Sequence, residues 1–167
     1  MMKIFAYKNI NKKQKGISII EVVIASAIIS LSMIAISNVY GNFLQLSLEN
    51  TEKVQAVFLL DEGVESLNIM RNYSWKSIAS STPSTNYYLE WKDNKWQSTT
   101  TPNIIDNKFI RKFTVENVYR DPSTLNIVYS GGVLNNDTKM INMDVSWNYK
   151  NSTSTKQISF YVFNLYE

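Results

Sequence analysis

One residue able to do chemistry stands apart by its surroundings. Glu21 is the only charge between Ile17 and Tyr40, a run of 24 otherwise uncharged, mostly apolar residues. An ionised carboxylate inside a spanning helix costs on the order of 2.5–3.5 kcal/mol on insertion scales, so its presence there marks a functional site by default. A plainer reading is a glutamate that snorkels to the interface from one end of the span. Other chemistries fall away on composition. The chain has no cysteine and no histidine, which removes thiol catalysis, zinc sites of the Cys/His type and Ser-His-Asp hydrolysis. Asp93, Asp106, Asp121, Asp137 and Asp144 are scattered without calcium-loop spacing. There is no glycine-rich phosphate loop and no Gly-x-Ser-x-Gly. No metal site, no cofactor and no catalytic constellation is expected, so the protein does not read as an enzyme.

The element that must position Glu21 is a long apolar helix. At roughly 1.5 Å per residue, the Ile17–Tyr40 run makes about 36 Å of helix, enough to cross a bilayer core of ~30 Å with some tilt. Five lysines (Lys3, Lys8, Lys12, Lys13, Lys15) and no acid precede it. Such a flank holds that end in the cytoplasm, so the remainder should lie across the membrane. A cleaved secretory signal is the rival, with small residues at Ala25-Ser26-Ala27. Against it, the apolar region continues to Val39, beyond the 7–15 residues typical of a signal-peptide core. Ser26, Ser30, Ser32 and Ser37 either let neighbouring helices approach and share hydrogen bonds or bond back to their own helix.

The order Lys15-Gly16-Ile17-Ser18-Ile19-Ile20-Glu21, followed by the apolar helix, resembles the class III signal of the type IV pilin and pseudopilin family. The resemblance implies that an aspartyl prepilin peptidase cuts after Gly16 and methylates the new amino terminus at Ile17. Glycine suits a cut because a residue without a side chain lets the backbone lie close in a protease cleft. It also implies that Glu21 of one subunit neutralises the amino terminus of its neighbour in a filament, which offsets burial of both charges and sets register. Ile17 stands where phenylalanine is usual in the family. Asp61-Glu62-Gly63-Val64-Glu65 to Arg71-Asn72-Tyr73-Ser74-Trp75 looks like the EG-x-E…R-N-x-x-W stretch of minor pilins of the PilV kind and of type II secretion minor pseudopilins. Its acids also read simply as a solvated helix face.

Four segments follow. Residues 1–16 are a cleaved basic leader. Residues 17–42 are the transmembrane and assembly half of a helix, and 43–75 its amphipathic half. Residues 76–167 are an antiparallel β-sheet domain. The fold class is α+β, one long N-terminal helix packed on a C-terminal sheet. Gly41-Asn42 reads as a soft point, since glycine costs about 1 kcal/mol in a helix interior. Val57, Leu60, Val64 and Leu67 form an apolar stripe, with Gln55, Glu62 and Ser66 opposite.

In the sheet domain, Ile78–Thr85 reads as a loop. Tyr87–Trp91 and Lys95–Gln97 read as a hairpin around Lys92-Asp93-Asn94. Ser98–Asn107 is a loop, and Phe109–Arg120 a strand with mixed faces. Asp121-Pro122-Ser123 is a turn and Leu125–Tyr129 a short strand. Gly131–Thr138 is a turn or loop. Ile141, Met143, Val145, Trp147 and Tyr149 alternate with polar residues as a strand buried on one face. Lys150–Thr155 is a loop, and Gln157–Leu165 the last strand, with Ile158, Phe160 and Val162 inward. Short polar loops favour an antiparallel meander.

The whole chain of 167 residues carries 17 basic and 14 acidic residues, net +3. Without the leader the balance is 12 against 14, a net of −2, so no nucleic-acid partner is indicated. Without cysteine, no disulfide holds the exported domain. The reading is a structural subunit of a bacterial type IV filament system, and the low glycine count and the EG-x-E stretch lean towards a minor pilin or minor pseudopilin. The implied partners are prepilin peptidase, other pilin or pseudopilin subunits, an assembly platform protein and the lipid bilayer. The implied location is the cytoplasmic membrane, single-pass, with the C-terminal domain extracytoplasmic, and then a pilus or pseudopilus. The rival is a membrane-anchored extracytoplasmic binding module that never polymerises, with an uncut leader and a dispensable Glu21.

Overall fold

A computed structural model describes residues 16–150 and 152–165. The leader expected at 1–16 therefore lies outside the described residues except for Gly16. Helix α1 (Ile19–Tyr73) is followed by a short helix α2 (Lys76–Ala79) and seven strands. These are β1 (Tyr88–Lys92), β2 (Lys95–Thr99), β3 (Ile104–Ile105), β4 (Phe109–Arg120), β5 (Ile127–Val128), β6 (Val133–Tyr149) and β7 (Ser152–Phe163). The arrangement is α+β, a long N-terminal helix with an antiparallel sheet behind it in the chain. Contacts divide the chain into two compact units, 1–46 and 47–167.

In the first unit the described chain is helix from Ile19 onward, with Gly41-Asn42 inside it and unbroken. Its apolar side chains are exposed on every side, as at Ile20, Val22, Val23 and Ile24. A helix apolar all round finds no stable exposure to water. The helix is long and apolar enough to cross a membrane, with a mean hydropathy of 2.5 over its best window. Ser26 donates to the carbonyl of Val23, Ser30 to that of Ser26 and Ser32 to that of Ile28. Within the single chain these three serines bond back to their own helix.

The second unit is built around a five-stranded sheet in the order β3-β4-β6-β7, with β5 also paired to β4. All its pairings are antiparallel. Along one edge β4 pairs β6. The other edge of β4 is covered piecewise by β3, by Tyr87 opposite Phe113, and by β5. The helical residues from 47 onward bury Ala56, Leu60, Gly63, Ser66, Leu67 and Met70. These meet Phe109, Phe113, Val115, Ile141, Met143, Val145 and Trp147 in one core. Each large side chain so buried contributes about 1.5–3 kcal/mol.

Several expectations are corrected. The buried stripe of α1 is turned by about one position from the expected one. Val57 is exposed and Val64 only half-buried, while Ala56, Gly63 and Ser66 take the core face. The expected pattern followed bulk hydrophobicity. The sheet instead approaches where side chains are small, and Ser66 satisfies its hydroxyl on the carbonyl of Glu62 at 2.7 Å. The loop expected over 98–107 contains the end of β2 and all of β3, because Asp106 and Asn107 both take positive φ (51° and 53°) and close a tight hairpin. Asn and Asp tolerate this left-handed conformation. β6 begins at Val133, inside the expected 131–138 loop, and β7 begins at Ser152, inside the expected 150–155 loop. Turn-like Asn and Asp residues (Asn135, Asn136, Asp137) hid the first and hydroxyl-rich sequence (152–155) the second, since paired backbone carries those residues on an exposed face. The strand expected at 125–129 shrinks to Ile127–Val128. Leu125 has positive φ (59°) and lies outside it. Ile158 pairs with Met143 on the core face but stays 37% exposed, because β7 is the edge strand. Phe160 is half-buried and Val162 fully buried. The mixed faces of β4 resolve into strict alternation from Phe109 to Val115, and then a register shift at Asn117/Val118 changes the phase.

Candidate functional site

Gly16, Ile17 and Ser18 precede α1 in non-helical backbone. A Cβ placed on Gly16 would meet nothing within 4 Å, so packing within this chain does not demand glycine there. Ile17 is 76% exposed. The Gly16–Ile17 bond thus sits in exposed, non-helical chain ahead of the helix. Ser18 accepts from the backbone N–H groups of Glu21 and Val22, at 3.0 and 3.2 Å, as the helix starts. Glu21 lies in the first turn. A carboxylate there faces the positive end of the helix, an arrangement that stabilises it. Ser18-x-x-Glu21 also has the spacing of a capping box, a local signal the sequence reading missed. No cation pairs with Glu21 among the described residues.

The chain carries the prokaryotic N-terminal methylation motif.

The matching family profile spans residues 11–37, from before Gly16 through the apolar half of α1. This motif is the type IV pilin and pseudopilin signal, and it supports a pilin-like or pseudopilin-like precursor. The motif and the apolar helix fit a membrane-anchored, single-pass protein. It implies cleavage by prepilin peptidase and assembly with other pilin subunits. Neither a curated protein nor a solved structure matches the chain.

The 61–75 stretch is outside the matched residues, and its groups do structural work. Arg111 projects from β4 into the core, with only 4% of its surface exposed. Its Nη1 donates to the carbonyl oxygen of Leu59 at 2.7 Å and lies 3.3 Å from Glu62 Oε2. Its guanidinium sits 5.8 Å from the centre of the Trp96 ring. Burial lowers the pKa of Arg111, and Glu62 opposes that shift. Glu62 is thus more than a solvated acid, although Asp61 and Glu65 are exposed as expected. A second polar anchor lies three turns earlier. Glu52 forms an ion pair with Lys108 through Oε1 and accepts from Trp147 Nε1 through Oε2 at 3.0 Å. Glu52, Ala56, Leu60, Gly63, Leu67 and Met70 recur at spacings of four and three, so Glu52 extends the buried stripe. That periodicity was the signal available for it. Among the described residues no group of three or more acidic side chains is placed to hold a metal ion.

Proposed function

We propose that this chain is a structural subunit, a minor pilin or minor pseudopilin, of a bacterial type IV filament system. The observation that carries the reading is the methylation motif at 11–37, laid over an exposed apolar helix with one carboxylate in its first turn. Prepilin peptidase cuts after Gly16 and methylates Ile17. The new ammonium of one subunit is then neutralised by Glu21 of the next, so two charges that are costly alone in low dielectric enter the filament together. Residues 17–42 anchor the subunit in the cytoplasmic membrane before assembly, with an assembly platform protein drawing it out. Residues 43–75 carry the sheet domain, 76–167, on the extracytoplasmic side. The role is structural, with no catalysis.

Intact-mass analysis of chain purified from cells containing a prepilin peptidase tests this, beside a Gly16→Leu variant. The expected mass begins at Ile17 with one added methyl group, and Gly16→Leu stays uncut. Glu21→Val is expected to be cut but excluded from filaments. A wild-type mass that still includes the lysine leader overturns the reading and makes the N-terminus a plain anchor for a binding module.

A further inference from the structure

The hairpin β1–β2 stands apart from the main sheet as a two-stranded unit. Its turn is Asp93-Asn94, both at positive φ (52° and 59°), the form that joins strands through two residues. In such a hairpin the pair flanking the turn, Lys92↔Lys95, exchanges backbone hydrogen bonds. Pairs then alternate, so the backbone groups of Leu89, Trp91, Trp96 and Ser98 point outward. On the β1 side the outward carbonyl of Leu89 already accepts from Asn103 Nδ2 at 3.5 Å. On the β2 side, the outward N–H and C=O groups of Trp96 and Ser98 have no partner among the described residues.

That open edge borders a groove. A cavity of about 500 Å³ runs between β2 and the end of α1, lined by Met70, Tyr73, Ser77, Lys95, Trp96 and Ser98 among others. Its apolar wall is Met70, Trp96 and the 75% exposed Tyr73. The one charged residue in its lining is basic. Lys95 lines the groove, and Lys92 stands opposite Lys95 across the hairpin. Neither lysine has an ion pair among the described residues. Like charges directly opposite on paired strands repel, and a bound anion relieves them.

We propose that the outer edge of β2 receives an extended, acidic segment of another polypeptide as an added strand. The segment's main chain pairs with Trp96 and Ser98, whose outward groups lie two residues apart, the repeat of a strand. An apolar side chain enters the Met70–Tyr73–Trp96 wall, and a carboxylate on the opposite face of the segment sits beside Lys95. The groove lies wholly within the sheet-bearing unit, so the inference stands apart from the filament reading.

The test uses the full chain in detergent micelles with ¹⁵N-labelled amides. The probe is a blocked heptapeptide of alternating glutamate with threonine and valine. The expected result is saturable shifts at the Trp96 and Ser98 amides. Methylating alternate peptide nitrogens weakens binding at least about tenfold, as does Lys95→Glu. A lysine-for-glutamate peptide binds Lys95→Glu better than wild type. Near-UV circular dichroism of the Trp91–Trp96 pair, 5.4 Å apart edge to face, checks that the variant keeps its hairpin. Equal binding of the N-methylated peptide overturns the proposal. So does the absence of shifts at millimolar peptide, and so does a response of Trp96 to cellohexaose but not to the peptide, which makes the groove a sugar platform.

Discussion

Gly63 of α1 lies so close to Met143 of β6 that a Cβ at position 63 would run into the Met143 sulfur. Met143 Cε and Arg111 Cδ would stand at 2.9 and 3.0 Å. Met143 has no exposed surface, so its thioether has no free space to swing into. The glycine is there to let helix and sheet close.

Gly63→Ala therefore sets two effects against each other. Alanine favours a helix interior by about 1 kcal/mol over glycine. Overpacking a filled core costs about 1–3 kcal/mol. The net expectation is destabilisation of about 1 kcal/mol by urea unfolding of the full chain in detergent. In a Met143→Ala background the same change should become neutral or stabilising, because the two nearest atoms are gone and only Arg111 Cδ still stands at 3.0 Å. A Gly63→Ala cost unchanged by Met143→Ala would show that the contact is not what excludes a side chain.

Glu52 gives a second test. Trp147 is 3% exposed, and its indole N–H has Glu52 as acceptor. Glu52→Ala leaves that buried donor unpaired and should cost about 1–3 kcal/mol. Glu52→Gln keeps an oxygen for Trp147 and loses only the charge facing Lys108. That pair, with Lys108 35% exposed, is worth about 1 kcal/mol, so Glu52→Gln should be the milder variant by unfolding monitored at the Trp fluorescence. Equal costs would mean the indole bond contributes nothing.

Arg111 and Glu62 should be unequal partners. Glu62 keeps 48% of its side chain in solvent while Arg111 keeps 3%. Water can replace the arginine as partner to Glu62, but nothing replaces the guanidinium in the core. Glu62→Gln is expected to cost under about 1 kcal/mol, and Arg111→Ala about 3–5 kcal/mol through the lost packing and hydrogen bond to Leu59. Arg111→Lys should not restore wild-type stability, because a point charge cannot meet Leu59, Glu62 and Trp96 together. Chemical denaturation of the three variants checks the order.

The elements read most easily in the sequence were those with one dominant signal. The apolar run after Gly16 has a single charge, and β6 alternates cleanly from Ile141 to Trp147. What stayed hidden was decided by partners distant in the chain. Arg111 breaks the apolar face of β4 because its carbonyl partner is Leu59, 52 residues earlier. Gly63 and Ser66 look like weak points of a stripe until the sheet is laid on them. Asp106-Asn107 reads as loop composition, and only its positive φ values reveal a hairpin. The motif around Gly16 was legible because its order of residues is local, whereas the β2 groove joins positions 70–77 to 95–98.

Two aspartates should respond to pH with opposite signs. Asp121 Oδ1 accepts from the backbone N–H groups of Ser123 and Thr124, both at 2.8 Å. Hydrogen bonds from Thr124 and then Ser123 hold its pKa below the usual 3.8. A depressed folded-state pKa contributes stability that is present above the unfolded value and lost as pH falls through the folded one. Asp144 is the reverse. Burial raises its pKa above 3.8, and Lys112, 3.9 Å away, only partly opposes this. Its charged form is disfavoured in the fold, so it penalises stability above its folded pKa, and the penalty fades as pH falls towards the unfolded value. Asp144→Asn should therefore stabilise the protein at pH ~7, with a gain that shrinks as pH falls through the raised pKa and is gone below pH ~4. Asp121→Asn should destabilise at pH ~7 and approach wild type at lower pH than Asp144→Asn does. Thermal unfolding of both variants across that range decides it. A loss of stability in Asp144→Asn at neutral pH would mean that the Lys112 pair outweighs the burial of its carboxylate.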